Sequence, residues 1–122
     1  MATTSIGSSG VTFPDSTTQA SGHQACQAWV SFVGSTAAIN ASYNVSSITR
    51  RSAGYYAVNF TNALTDANYA FAGIANPTTS YSGVMVCIDY VLGISSSVAN
   101  IRTISDGGAI FDSPTVTVKF IR

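Results

Sequence analysis

Glutamate is absent from this chain, and histidine and tryptophan occur once each. Only 8% of the 122 residues are charged, against about 25% in an ordinary soluble domain. Five aspartates (Asp15, Asp66, Asp89, Asp106 and Asp112) balance Arg50, Arg51, Arg102, Lys119 and Arg122, so the net charge is zero. With no basic block, nothing marks the chain electrostatically for nucleic acid or an anionic membrane. His23 stands alone in linker sequence, so neither a His-containing triad nor a multi-histidine metal site can be built within one chain. Only a trimer could bring three copies of His23 together. No cofactor is implied.

Cysteine is also scarce: Cys26 and Cys87 both lie in strand-like segments. Two are too few for a disulfide-dependent scaffold, and in a chain folded in a reducing cytosol they read as buried thiols acting as small hydrophobes. A disulfide would need their strands to face each other at bridging distance. Long apolar runs are missing too. The longest, Val84–Leu92, carries Asp89 and falls far short of the roughly 18 residues of a spanning helix, so no membrane insertion is expected. Met1–Gly10 has neither a basic stretch nor an apolar core, and so no secretory signal.

What is present is apolar and hydroxyl-rich. An apolar fraction of 46% supports a real core, and the length is that of one domain burying about two-thirds of its unfolded surface. Surface polarity must come from Ser, Thr and Asn. Either the surface is of extracellular type, or other subunits cover much of it. A chain of extracellular character without a signal peptide could leave its cell by lysis, as a virus particle does.

The apolar residues alternate. Tyr56, Val58 and Phe60 alternate with Tyr55, Ala57 and Asn59, the period of a half-buried strand. Cys26–Val33 repeats it, with Cys26, Ala28, Val30 and Phe32 against Gln27, Trp29, Ser31 and Val33. Further strands are expected at Ala37–Tyr43, Tyr69–Ala75, Val98–Ile104 and Thr115–Arg122. Asn44–Thr49 reads either as a continuation past a bulge or as a separate strand. Arg50–Gly54 reads as a hairpin loop with Gly54 available for positive φ. Val84–Leu92 reads as a central strand covered on both faces. No apolar segment has helical period, so about eight short strands with regular turns imply an all-β fold, an antiparallel β-sandwich rather than a barrel. Residues 1–10 read as a flexible lead. Val11–Ala20 reads as a small hook: an extended piece with Val11 and Phe13, a turn at Pro14-Asp15, and a second extended piece. It is too small to fold alone, and Val11, Phe13 and Pro14 would pack on something, such as a neighbouring chain. The division is a 1–24 arm and a 25–122 head.

Catalytic chemistry has little to stand on. Asp15, Asp66 and Asp106 sit beside turn residues, where aspartate caps backbone. Asp89, in an apolar stretch, is expected to pair with an arginine or meet a subunit interface, because a lone buried charge is costly. No paired acid–base motif accompanies them, and the chain does not read as an enzyme. SDGGAIFDS (105–113) lacks the alternating ligands of a calcium loop. The sequons at Asn40, Asn44 and Asn59 are near chance in so hydroxyl-rich a chain. The Cys–Trp gap does not fit the immunoglobulin pattern.

Binding chemistry fares better. Sugars are held by aromatic faces with amide and hydroxyl groups, and the chain has Trp29, six tyrosines and many Asn, Ser and Thr. Tyr81 in NPTTSYSG and Tyr55 beside Arg50 and Arg51 are the candidate exposed contacts, weighed against aromatics that fill a core or an interface. Trp29, opposite the apolar side of its strand, suits a subunit contact. Strand parity leaves two loop arrangements. If 37–49 is one strand, the turns 34–36, 61–68 and 93–97 lie far from the point where the arm joins. If Asn44 breaks it, every later loop changes ends.

Several segments carry a family resemblance. VTFPDSTTQA (11–20) resembles the ITFPDGTVQ-type segment of tailed-bacteriophage tail fibres. ACQAWVSFVGSTAAINASYNVSSIT (25–49) and GYYAVNFTNALTDANYA (54–70) are similar to the ACKAWVNF…ASFNVSSIT…GDYTVNFT…DANYA pattern of a C-terminal β-domain in marine-phage fibres. The likeness runs in order from Val11 to Ala70, about half the chain, and ends in VTVKFIR, similar to the apolar strand plus arginine that closes such fibres. Two departures are Ser16, where the pattern has a turn glycine, and Gln27, where it has a basic residue. The resemblance implies a homotrimeric virion fibre on the tail or capsid surface, folded in the host cytoplasm before lysis. Its arm would contact other virion proteins and its head would contact a host surface glycan or protein. With little shaft before the motif, the chain is expected to be an excised tip or a separately encoded small virion protein. The second reading keeps open a capsid- or tail-mounted structural role without a receptor.

Overall fold

The computed structural model describes residues 5–7, 10–16, 18–19 and 26–122. Among them there is no helix. Three short strands come first: β1 (Ser5–Gly7), β2 (Gly10–Thr12) and β3 (Thr18–Gln19), antiparallel in the order β1-β2-β3. The hook is therefore an extended–turn–extended unit, as its residues suggest. The stretch read as a flexible lead contributes β1 and the first residue of β2. The turn after β2 is closed by the Ser16 N–H donating to Phe13 O at 3.0 Å. Ser16 has φ 69°, a left-handed conformation that favours glycine.

Eight strands follow: β4 (Cys26–Phe32), β5 (Ile39–Tyr43), β6 (Val45–Ser52), β7 (Tyr55–Phe60), β8 (Ala70–Ala75), β9 (Met85–Ile88), β10 (Val98–Ile104) and β11 (Val116–Ile121). They form two four-stranded antiparallel sheets, β5-β4-β11-β8 and β6-β7-β10-β9, facing each other as an open sandwich. Ala28, Val30 and Phe32 from β4 and Val116, Val118 and Phe120 from β11 meet Tyr56, Val58 and Phe60 from β7 and Ala99 and Ile101 from β10. Burying each large side chain of this set contributes about 1.5–3 kcal/mol. Phe60, Tyr69 and Phe120 pack edge-to-face with centroids 5.1–6.0 Å apart.

A single residue carries the chain between sheets. Asn44 separates β5 from β6 with φ 55°, a left-handed conformation that asparagine tolerates better than most residues. Its Nδ2 donates to Gln27 O and Asn62 O, each at 3.1 Å, and its Oδ1 accepts from Asn62 N–H at 2.8 Å. Of the two readings of 44–49, the separate strand is the one that forms, and it lies in the opposite sheet.

This settles the loop arrangement. Cys26, Asn44, the 61–69 connection and the 94–97 turn lie at one end, as Cys26↔Ile121, Ile121↔Ala70 and Val45↔Phe60 require. The turns at 33–38 and 53–54 and the loops 76–84 and 105–115 gather at the other, where Gly34 N–H donates to Ser113 O at 3.0 Å.

Two expectations fail. Arg50–Gly54 is not all loop, since Arg50–Ser52 continues β6 and only Ala53 and Gly54 turn. The Val84–Leu92 run is not a central strand. Only Met85–Ile88 pairs, at the sheet's edge, and Asp89–Leu92 turns outward, leaving Tyr90 78% and Val91 71% exposed. Asp89 is buried without an arginine partner among the described residues. Its Oδ1 accepts the Val91 N–H at 3.0 Å, and its carbonyl accepts from Gly93 N–H. A turn cap, not an ion pair, satisfies it.

Candidate binding surfaces

The far end is built around Asp112. Arg50 Nε lies 3.1 Å from both carboxylate oxygens and Nη2 lies 2.6 Å from Oδ2. Gly54 N–H and Tyr56 O–H donate to Oδ1 at 2.9 and 2.8 Å. Burial pushes the Asp112 carboxyl up, but these donors outweigh it and hold the group below its ordinary value. Tyr56 is pushed well above its usual range, first by burial and then by Asp112. Gly54, at φ 73°, is packed so closely that an added Cβ would sit 2.7 Å from Phe111 O. The β6–β7 hairpin is thereby locked to the 105–115 loop. Arg50 is committed to that lock. Tyr81 stacks on Phe111, centroids 4.4 Å apart, so one face of its ring is covered.

Arg51 behaves differently. The register of β6 against β7 shifts between Arg50 and Ser52, a bulge that re-aims the residue between them. Arg51 Nη2 donates to Asn100 Oδ1 at 3.0 Å, two strands away on β10. Arg102 pairs in register with Tyr55 and Cys87, and its guanidinium carbon lies 5.1 Å from the centre of the Tyr90 ring. The outer face of β6-β7-β10-β9 thus carries Arg51, Tyr55, Asn100 and Arg102, with Asn59 bonded to Ser47 and Thr49 beyond them. It is a polar face.

The outer face of the other sheet exposes Trp29, Tyr43 and Ile74, with Lys119, Ser31 and Thr117 among them. Tyr43, Trp29, Lys119 and Ala72 form one cross-strand row, and Ala41, Ser31, Thr117 and Ile74 the next. Ile74 is 70% and Tyr43 58% exposed, with Trp29 more than one-third exposed. Cys26, Trp29, Ala72, Ile74, Thr117 and Lys119 line an open depression of about 400 Å³. Trp29 faces outward here, as its place opposite the buried residues of β4 requires. In the hook, Phe13 is 40% exposed and Pro14 is exposed, while Val11 is half-buried.

The two cysteines are not core thiols. Cys26 begins β4 and is exposed, and Cys87 lies half-buried on the edge strand β9. Cys26 opens β4 where the register against β11 shifts, and Cys87 pairs with Arg102 on the outer side of β9 while Val86 takes the inward position. The two belong to different sheets. Asp66 and Asp106 cap turns, accepting from Asn68 and Gly107 N–H at 2.7 and 2.9 Å, and Asp66 also pairs with Arg122 at 2.6 Å. Among the described residues no three of His, Cys, Asp and Glu converge. His23 lies outside the described residues.

The structure therefore brings Arg50 and Tyr81 to one end through the loop that bears Phe111 and Asp112, and sets Arg51 and Tyr55 on the adjoining sheet face. Sequence reasoning missed Asn100, Arg102, Tyr90 and Ile74. The alternation Ala99, Ile101, Thr103 against Asn100 and Arg102 is a signal that could have found two of them. The chain matches no protein-family model, no curated protein and no solved structure.

Proposed function

We propose that this chain is a bacteriophage fibre-type virion protein that works by adhesion. It assembles as a homotrimer through the outer face of β5-β4-β11-β8 and the hook. The end formed by the 33–38, 53–54, 76–84 and 105–115 loops is turned toward a host surface.

The observation that carries this reading is the exposure of Trp29, Tyr43 and Ile74 on the outer face of β5-β4-β11-β8. A monomeric soluble protein seldom leaves several large apolar side chains exposed on one sheet face; here Trp29 pairs with Tyr43, and Trp29 and Ile74 both line a depression of about 400 Å³. Burial of this face among copies explains how a chain with 8% charged residues could stay in solution. The motifs at 11–20, 25–49 and 54–70 supply the link to fibres. Three copies on one fibre would turn a weak contact into firm attachment through avidity.

The test is immunogold labelling of particles released from cells that encode the chain, combined with adsorption competition by the purified protein. Label at fibre or tail tips with competition supports attachment. Label on the particle body without competition favours the structural role, and particles without label overturn both.

A further inference from the structure

We infer that the outer face of β6-β7-β10-β9 carries a site for an acidic saccharide, held by Arg51 and Arg102 with Tyr55 and Tyr90. The inference rests on the attachment reading and names the chemistry recognised.

Charge placement is the first argument. Arg50 and Arg122 each have a carboxylate within 4 Å, Asp112 and Asp66 respectively. Arg51 and Arg102 have none among the described residues, although both stand beside Asn100. Arg51 bonds to Asn100, and Arg102 lies two residues along the same strand face. Two guanidinium groups gathered on one face repel each other, and an anion bound between them relieves that repulsion.

The site is also built rather than incidental. Asn100 is 8% exposed, its Nδ2 donates to Gly93 O at 3.0 Å, and its Oδ1 is thereby turned toward Arg51. Arg102 is flanked by the Cys87 thiol and the Tyr55 hydroxyl, which together favour its charged form, and by the Tyr90 ring. Its Nε is buried with no hydrogen-bond partner. Arg51 uses one donor on Asn100, and a guanidinium has five in a fork that matches a carboxylate or sulfate. Tyr90, 78% exposed, offers a face to a pyranose ring. Two cations are too few to follow a nucleic-acid backbone, which takes some six to ten phosphate contacts, and a flat sheet face gives a strand no groove.

The experiment is titration of the purified full chain, followed by amide chemical shifts, with trigalacturonate, a sulfated trisaccharide, neutral maltotriose and a short single-stranded oligonucleotide. At least one acidic sugar should bind about tenfold tighter than maltotriose, and weaken as salt rises from about 50 to about 300 mM. Which acidic sugar wins identifies the group as carboxylate or sulfate. Arg51→Gln and Arg102→Gln should each weaken binding about fivefold or more, while Arg122→Gln, beyond the end of β11 in the opposite sheet, should not. If Arg102→Gln misfolds, exposed Arg51 still provides the test. Equal binding of acidic and neutral sugars, tighter binding of the oligonucleotide, an equal loss in Arg122→Gln, or no acidic sugar bound overturns the inference. Adsorption competition could still succeed in that case, so the two readings fail separately.

Discussion

Arg50 and Asp112, sixty-two residues apart in sequence, meet as a fork on a carboxylate, with Nε 3.1 Å from both oxygens and Nη2 2.6 Å from Oδ2. The same carboxylate takes the Gly54 N–H and the Tyr56 hydroxyl. Asp112→Ala strips partners from a buried tyrosine and a turn amide together, and should cost about 2–4 kcal/mol. Denaturant unfolding would measure it. Arg50→Gln, which leaves Gly54 and Tyr56 bonded, should cost less.

The sign of the pH dependence follows from the same carboxylate. Asp112 is held below its ordinary value in the folded chain, so its stabilising contribution is complete above the unfolded value near 3.9. It is lost as the pH falls below that value toward the folded one. Melting temperature should therefore be level from pH 7 to about 5 and drop below about 4. Asp66, lowered chiefly by the Asn68 N–H, adds to the same fall. Asp112→Asn should flatten the acid limb without abolishing it, and an unchanged limb would remove Asp112 as its source.

Asn44 combines a left-handed backbone with three side-chain hydrogen bonds that tie the sheet crossing to Gln27 and Asn62. Asn44→Ala loses the bonds and adds backbone strain, for a cost of about 2–3 kcal/mol. Asn44→Gly loses the bonds but keeps the backbone at ease, so it should be milder by about 1 kcal/mol. Equal losses would mean that the strain is not there.

What could be read from the residues was whatever depends on local alternation. Tyr56, Val58 and Phe60 were expected in the core and are there, because a period of two puts alternate side chains on one face whatever the partner strand. What failed depends on partners. A continuous apolar run such as Val84–Leu92 looks the same whether it is a central strand or an edge strand followed by an exposed turn, and only the neighbours of β9 decide. Asn44 hid a change of sheet in one residue. The bulge that sends Arg50 to Asp112 and Arg51 to Asn100 depends on β6–β7 register, which composition does not encode. Of the candidate contacts, Arg51 and Tyr55 were legible as a pair near a turn. Their neighbours Asn100 and Arg102 come from a strand some 45 residues away, and Tyr90 from the turn after β9, and they meet only through sheet order.

Trp29 is the single tryptophan, and it faces outward beside the depression that Ile74 and Lys119 also line. Its fluorescence therefore reports on this face alone. If copies associate through it, raising the protein concentration should shift Trp29 emission to the blue and shield it from iodide, as light scattering rises toward three times the 12.6 kDa chain mass. Ile74→Lys sets a charge at a position 70% exposed, so it should leave the fold intact by circular dichroism. Buried between copies, the unpaired charge would cost several kcal/mol, enough to hold the protein monomeric at micromolar concentration with red-shifted emission. A trimer that forms with Trp29 emission unchanged would place the interface elsewhere, on the hook or the β8 and β9 edges. A trimer that survives Ile74→Lys would do the same, because a second unpaired ammonium beside Lys119 would weaken an interface formed on this face.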